Sequence, residues 1–209
     1  NILIILADDF GWGDASCNNP DFKVQTPAID RIAKEGIRFT NAHTPSSVCS
    51  PTRYGLLTGR YPWRTRLKQG GMNGYVPALI SKGRTTIASY LKSQGYRTGG
   101  FGKWHLGVGW PLKEGGSIGW DVNWLHDIGR AKQRGYPKSI GQTIDLSKPL
   151  QDSPVDHGFD TYFGTVSNGT TFPHYIQNNR MLVDFPRPAR SQVDDLYVAK
   201  AIEFIEKHE

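Results

Sequence analysis

The stretch Ile2-Leu3-Ile4-Ile5-Leu6-Ala7-Asp8-Asp9 is the part of the sequence that decides the predicted fold. It begins as a continuous run of β-branched and leucine residues, which is the pattern of a strand buried on both faces, as in parallel sheets. The run ends in two adjacent carboxylates, and ligands of open α/β sheets bind beyond the carboxyl ends of the strands. The stretch therefore predicts a buried strand that leads into a binding site.

Helices and strands are predicted to alternate along the rest of the chain. Thr26 fits the N-cap and Pro27 the first position of a helix that Gly36 ends. The predicted helices cover residues 27–35, 51–58, 85–94 and a segment from Ser191 onward, and the predicted strands cover 2–7, 37–40, 96–101 and 159–166. This alternation favours an α/β sandwich with a mostly parallel sheet.

The composition is that of a globular chain. Its 209 residues are 37% hydrophobic and 21% charged, which is too few charges for a disordered tail. The longest apolar run, residues 2–7, is far short of the roughly 20 residues that a bilayer requires, so no membrane span is predicted. The net charge of +6 is scattered apart from a mild cluster from Arg130 to Lys138. We therefore expect a site for an anionic substrate rather than for nucleic acid.

The two ends and one internal segment shape the predicted domain organisation. Asn1 leads into the apolar run without an initiator Met or a signal peptide, and Glu209 ends a helical pattern, so a piece of a longer protein is expected. Residues 111–149 carry several Gly breaks and no sustained periodicity, which predicts a long loop insertion. We expect this insertion to contact a polyanionic substrate through its basic residues, which are Lys113, Arg130, Lys132, Arg134 and Lys138. The alternative is an ordinary solvated loop.

Asp8 and Asp9 are candidate metal ligands. Two adjacent carboxylates repel each other unless a cation or a buried base compensates their charge. Hard oxygen ligands favour Ca²⁺ or Mg²⁺. On this pair alone, an aspartate that only caps the next turn stays an open alternative.

Cys49 marks a second candidate centre. It comes just before a predicted helix, at the positive end of the helix dipole, and Arg53 returns one turn later on the same face. This arrangement predicts an anion cradle that holds a reactive sulfur. A lone cysteine before a helix is, however, more often a small buried hydrophobe. The other cysteine, Cys17, completes neither a disulfide framework nor the spacing of a zinc site.

The block Cys49-Ser50-Pro51-Thr52-Arg53 changes this balance, because it resembles the recognition motif of the type I, formylglycine-dependent sulfatases. These enzymes are the arylsulfatase family of the alkaline phosphatase superfamily. The similar segments are residues 4–14, 26–30, 49–53, 57–60, 102–107, 158–160 and 162–164. The Cys block and Gly102-Lys103-Trp104-His105, in this order, are the specific signals.

The resemblance implies a fold, which is an α/β, alkaline-phosphatase-like sandwich with a mostly parallel sheet and helices on both faces. Residues 1–209 would form the N-terminal portion of a sulfatase catalytic domain, truncated before its second half. Further metal ligands, a second lysine and a second histidine of the family are expected from sequence beyond the last residue of this chain.

The resemblance also implies a metal and a modified residue. Asp8 and Asp9 would bind Ca²⁺, with Mg²⁺ as the alternative, and Cys49 would be both a metal contact and the nucleophile. A formylglycine-generating enzyme would oxidise Cys49 to formylglycine (3-oxoalanine) during maturation.

The resemblance implies roles at the nucleophile and at the substrate for five further residues. Arg53 would stabilise the hydrated aldehyde, Lys103 would hold the sulfate, and His105 would accept a proton at the nucleophile. Ser167 and His174 would contact the substrate, with a surface or packing histidine as the alternative at position 174.

The activity that the resemblance implies is sulfuric ester hydrolysis, in which sulfate is removed from a sulfated sugar or polysaccharide or from an aryl sulfate. A phosphonate or phosphodiester hydrolase of the same superfamily and a non-catalytic relative that binds sulfated glycans are the alternatives. A periplasmic or secreted location is the corresponding family expectation.

Overall fold

The computed structural model describes residues 1–72, 75–116, 143–168 and 175–209, in two compact units, Asn1–Thr44 and Pro45–Glu209. The α-helices are α1 (Pro27–Glu35), α2 (Cys49–Thr58), α3 (Ile87–Ser93) and α4 (Val193–Lys207). The strands are β1 (Gly99–Lys103), β2 (Thr161–Thr165), β3 (Tyr175–Gln177) and β4 (Arg180–Leu182). Short 3₁₀-helices cover Trp12–Asp14, Pro62–Arg64, Pro154–His157 and Arg190–Gln192. No helix within these described ranges is long and apolar enough to cross a membrane.

The first unit contains α1, which lies where its capping residues predict it. The helix starts at Pro27 and ends before Gly36, and the Asp30 carboxylate ties it to the preceding loop. Asp30 accepts hydrogen bonds from the Ser16 hydroxyl, at 2.7 Å, and from the Cys17 N–H, at 2.8 Å. The hydrogen bond from Ser16 is the main reason why the pKa of Asp30 lies below its usual value.

Two strands predicted in this unit are wrong. Residues 2–7 and 37–40 have irregular conformations, and the exposed fraction of the Ile5 side chain is 79%. A strand is stabilised by backbone hydrogen bonds to a neighbouring strand, and residues 1–44 form no sheet. The apolar run therefore has the composition of a strand, but no neighbouring strand in residues 1–44 pairs with it.

The second unit is built on a sheet with the strand order β1-β2-β3-β4. The first pair is parallel, with Phe101 opposite Phe163, and the other two pairs are antiparallel. The sheet of the described residues is therefore mixed, rather than mostly parallel as predicted. The sheet is mixed because β3 pairs antiparallel with both β2 and β4. The turn between β3 and β4 has only two residues, and such a short connection joins antiparallel strands.

The parallel pair approaches unusually closely at one point. A Cβ built on Gly164 would lie 1.7 Å from the carbonyl oxygen of Gly102, so only glycine fits there. The buried Tyr162 hydroxyl donates a 2.6 Å hydrogen bond to the same carbonyl oxygen. This contact fixes the end of β1 directly before Lys103.

Helix α4 and a cluster of aromatic rings pack on opposite faces of β1. Gly99 faces Phe204 of α4, whereas the adjacent Gly100 faces Phe159 and Tyr162. Because successive residues of a strand point to opposite faces, the two packing partners lie on opposite sides of the sheet. The hydrophobic core continues beyond β1 through Leu106 and Val108, whose side chains are fully buried.

Predicted helix ends agree with the observed ends to within two residues. Helix α2 starts at Cys49 itself and ends at Gly59, whose φ of 65° is left-handed. In α3 the Thr86 hydroxyl accepts a hydrogen bond from the Ser89 N–H, which places the start two residues into the predicted segment. The last helix begins at Val193, because residues 190–192 form a 3₁₀ turn.

The ends of the predicted insertion are hydrogen-bonded to each other. Leu112 and Ile144 form an antiparallel bridge, and the Lys113 N–H donates to the Thr143 carbonyl at 2.8 Å. Ile144 is buried in the core. Lys113 is exposed. The other four basic residues predicted to contact a polyanion, in 130–138, lie outside the described residues.

His157 is a buried histidine on the aromatic side of β1. Its ring stacks on Trp104, with centroids 6.1 Å apart, and its Nε2 has no hydrogen-bond partner among the described residues. Burial lowers the pKa of His157, and the negative charges of Asp152 and Asp156 act in the opposite direction with smaller effect. His157 is therefore held in its neutral form.

We expect the free energy of unfolding to fall as the pH decreases below 6.5, the ordinary pKa of histidine. In that range the unfolded chain binds a proton that the folded protein disfavours at His157, whereas above pH 6.5 this contribution to stability is fully present. One proton limits its slope to about 1.4 kcal/mol per pH unit. Urea unfolding of the intact protein between about pH 7.5 and 5 measures it.

The variant His157→Gln should show a shallower pH dependence of the unfolding free energy than the wild type. The matched control is His43→Gln, because His43 is exposed. Equal slopes for the His157 variant and the wild type would show that protonation of another group causes the dependence.

Candidate functional site

Asp8 and Asp9 both lie in the first unit, in an exposed turn that follows the apolar run. Asp9 has a φ of 58°, a left-handed conformation that aspartate adopts more readily than most residues. The following 3₁₀ turn is capped by Asp14, whose carboxylate accepts the Gly11 N–H at 2.6 Å. The carboxylate that caps the 3₁₀ turn is therefore that of Asp14, and not that of Asp8 or Asp9.

Cys49 is the first residue of α2, in the second unit. The helix is anchored by its buried residues Ser50, Pro51, Thr52 and Tyr54, while Cys49 itself is half-buried and not disulfide-bonded. The positive end of the helix dipole therefore lies at the sulfur. This placement is the one that the sequence predicts.

Arg53 and Lys103 come from different elements and meet through the backbone. Arg53 lies one turn after Cys49, and its Nη1 donates a hydrogen bond to the carbonyl oxygen of Lys103, the last residue of β1. Both side chains are half-buried. The bond therefore joins the N-terminal half of α2 to the backbone at the end of β1.

His105 lies two residues beyond the end of β1, in a turn held by β2. The Trp104 N–H donates to the Thr165 carbonyl and the His105 N–H to the Val166 carbonyl, both at 2.9 Å. His105 has a φ of 57° and its exposed fraction is only 2%. Its Nε2 lies 2.7 Å from the carbonyl oxygen of Met72. Both the backbone and the ring of His105 are therefore fixed.

Of the two predicted substrate contacts, Ser167 lies within the described residues and His174 does not. Ser167 is buried and follows Val166, so it lies next to the backbone contact of His105. Its carbonyl oxygen accepts a 2.8 Å hydrogen bond from the Thr165 hydroxyl. His174 lies outside the described residues.

Four predicted site residues thus lie in the second unit: Cys49 and Arg53 on α2, Lys103 at the end of β1 and His105 just beyond it. Asp8 and Asp9 lie in the first unit. Within the described ranges, no three His, Cys, Asp or Glu side chains are grouped closely enough to hold a metal ion. Asp8 and Asp9 are adjacent carboxylates, which are hard oxygen donors.

Two residues that the sequence reasoning did not single out connect this site. The Ser50 hydroxyl accepts a 3.0 Å hydrogen bond from the Met72 N–H, and the Met72 carbonyl reaches His105. Ser50 belongs to the block Cys49-Ser50-Pro51-Thr52-Arg53, so its position next to Cys49 could have marked it as a site residue. No local pattern marks Met72, because its contacts lie 22 and 33 residues away in the chain.

Comparison with known proteins gives consistent matches. The family model described as Sulfatase matches residues 1–209. The N-acetylgalactosamine-6-O-sulfatase of Bacteroides thetaiotaomicron is 50% identical over 109 residues, which are 52% of this chain and 21% of that protein. Arylsulfatase A of Bos taurus is 46% identical over 110 residues, again 52% of this chain and 21% of that protein. The matched part thus spans about a fifth of these relatives.

A solved structure reported for the metabolism of multiple glycosaminoglycans by Bacteroides thetaiotaomicron is also similar. It matches with a TM-score of 0.63 and 34% identity, over 84% of this chain and 30% of that chain. The match confirms the predicted α/β, alkaline-phosphatase-like fold class.

Proposed function

The chain belongs to the sulfatase family, and on that premise we propose that it carries the N-terminal part of the site of an enzyme that hydrolyses sulfate esters. The observation that carries the proposal is the hydrogen bond from Arg53 to the backbone of Lys103. It joins the Arg53 side chain, on the helix that starts at Cys49, to the backbone of Lys103, the residue proposed to supply the second cation. A site of this charge suits the oxygens of a sulfuryl group.

Cys49, after oxidation to formylglycine, is the proposed nucleophile. A sulfated thiol has no easy route of release, whereas the hydrated aldehyde offers two hydroxyls on one carbon. One hydroxyl gives up its proton and forms an O–S bond, while the ester S–O bond breaks; its electron pair goes to the substrate oxygen, which takes up a proton and leaves as the alcohol. The second then loses its proton, its O–H electron pair becomes the C=O bond, and sulfate departs with the electrons of the broken C–O bond.

The surrounding residues of the second unit oppose the charge and move the proton. Arg53, Lys103 and the N-terminus of α2 face the developing negative charge, which such preorganised groups stabilise more in the transition state than in the ground state. His105 accepts the proton of the second hydroxyl. Ser167 and His174 are proposed as substrate contacts.

The proposed metal is Ca²⁺, with Mg²⁺ as the alternative, held by Asp8, Asp9 and the modified Cys49. The chemistry of the two carboxylates fits either ion, because both prefer hard oxygen ligands. When bound, such an ion supplies a Lewis acid at the sulfuryl oxygens and favours ionisation of the nucleophile's hydroxyl.

The proposed substrate is a sulfated sugar. Support comes from the 50% identity to a protein named for removing 6-O-sulfate from N-acetylgalactosamine. The similar solved structure is reported for the metabolism of glycosaminoglycans, which agrees with this substrate class. A formylglycine-generating enzyme is the proposed maturation partner, and a periplasmic or secreted location is proposed with it.

The test is hydrolysis by the intact protein of two substrates that differ only in the transferred group, 4-nitrophenyl sulfate and 4-nitrophenyl phosphate. We expect nitrophenol and inorganic sulfate to be released together, faster from the sulfate ester than from the phosphate. Faster hydrolysis of the phosphate or of a phosphonate would favour the phosphonate or phosphodiester hydrolase instead. Binding of a sulfated oligosaccharide without turnover, with Cys49 unmodified, would identify a non-catalytic relative.

A further inference from the structure

Residues Gly71 and Met72 run along the start of α2. A Cβ built on Gly71 would lie 3.9 Å from the Cys49 sulfur and 3.7 Å from the Ser50 hydroxyl oxygen. The Met72 N–H donates to that hydroxyl oxygen at 3.0 Å. Ser50 is completely buried, so no solvent competes for this bond. The segment is therefore fixed against the residue that follows Cys49.

The same segment determines which nitrogen of His105 carries the proton. The carbonyl oxygen of Met72 can only accept a hydrogen bond, so the Nε2 atom 2.7 Å away is the donor. In the neutral imidazole one nitrogen is protonated and the other is not. The basic nitrogen of neutral His105 is therefore Nδ1.

We infer that Ser50 is a positioning residue for His105, acting through Met72. The Ser50 hydroxyl fixes the N–H of Met72, and the carbonyl of Met72 then holds His105 in the tautomer with Nδ1 unprotonated. Ser50 itself touches no reacting atom in this scheme. The catalytic significance of the inference rests on the proposed function, whereas the control of the tautomer does not.

The chemistry of this arrangement is one proton transfer. The O–H bond of the hydrated aldehyde at residue 49 breaks, and an N–H bond forms at Nδ1 of His105. The O–H electron pair becomes the C=O bond as sulfate leaves with the electrons of the C–O bond. The imidazolium of His105 keeps its Nε2–H on the Met72 carbonyl, whose negative dipole end favours the added positive charge.

The first measurement is the histidine ¹⁵N NMR spectrum of intact protein labelled at its six histidines, with His105→Gln to assign the signal. Wild-type His105 should show a protonated Nε2 and an unprotonated Nδ1. In Ser50→Ala the Met72 N–H loses its acceptor, so we expect a mixture of both tautomers. A single Nε2-protonated tautomer in Ser50→Ala would overturn the inference, whatever the enzymatic activity.

The second measurement is the steady-state kinetics of the same variant. We expect kcat of Ser50→Ala to fall by about 10–100-fold, the usual cost of losing a supporting hydrogen bond behind a functional histidine, with KM changed much less. The matched control is Ser153→Ala, because Ser153 is equally buried and its hydroxyl binds Asp156 instead. Thermal unfolding of both variants reports any general loss of stability.

The outcomes separate this inference from the proposed function. Equal loss of kcat in the two alanine variants, with the tautomer of His105 unchanged, would reduce Ser50 to a packing residue and overturn the inference. A wild type without sulfatase activity, but with a tautomer that depends on Ser50, would contradict the proposed function and support the positioning role.

Discussion

Replacing Cys49 with alanine is expected to reduce kcat for sulfate ester hydrolysis by about 10⁶-fold, the cost of removing a catalytic nucleophile in a well-studied hydrolase. Alanine has no sulfur to oxidise, so neither hydroxyl of the hydrated aldehyde can form. Substrate affinity should change little, because the cations at Arg53 and Lys103 remain. Single-turnover kinetics and equilibrium binding of a sulfated sugar to the variant measure the two effects separately.

The other cysteine provides the control for this prediction. Cys17 lies in the first unit, where its sulfur contacts the Asn18 amide oxygen at 3.8 Å. Cys17→Ala should therefore keep wild-type kcat. A comparable loss in both variants would indicate a structural need for the thiols, and activity retained in Cys49→Ala would refute its role as nucleophile.

Replacing Lys103 with methionine should reduce kcat by about 10²–10³-fold, the range found when one preorganised donor to a developing negative charge is removed. Methionine keeps the length of the side chain but not its charge, and the carbonyl of residue 103 still accepts the hydrogen bond from Arg53. The loss should therefore come from charge rather than from movement of α2. Steady-state kinetics with 4-nitrophenyl sulfate measure it.

A double-mutant cycle with Arg53→Met sharpens this second prediction. Because Arg53 and Lys103 are both proposed to act on the same sulfuryl group, we expect the two losses to be non-additive. Lys82→Met is the surface control, since Lys82 is exposed. An unchanged kcat in Lys103→Met, or the same small loss in both lysine variants, would remove Lys103 from the proposed site.

Local signals in the sequence were enough to place α1 and the site helix α2. Thr26, Pro27 and Gly36 delimit α1 because capping depends on neighbouring residues alone. The spacing of Cys49 and Arg53 likewise follows from the helical period, so their common face could be predicted. Motif resemblance added Lys103 and His105, which no helical spacing could relate to Cys49.

Long-range pairing accounts for what the sequence did not predict. The run at residues 2–7 has the composition of a strand, but pairing requires a neighbour that residues 1–44 do not provide. The antiparallel pairing of β3 with β2 also depends on a contact across the segment between the two strands, whereas β4 joins β3 through a two-residue turn. For the same reason, the bond from Arg53 to Lys103 spans 50 residues and is visible only in the fold.

The most direct test of the central claim is the mass of the peptide that contains Cys49, taken from protein that hydrolyses sulfate esters. Conversion to formylglycine replaces one sulfur and two hydrogens with one oxygen, so the account predicts a peptide lighter by that difference. The peptide that contains Cys17 should keep its unmodified mass. An active preparation in which the Cys49 peptide has only the unmodified mass would contradict the account.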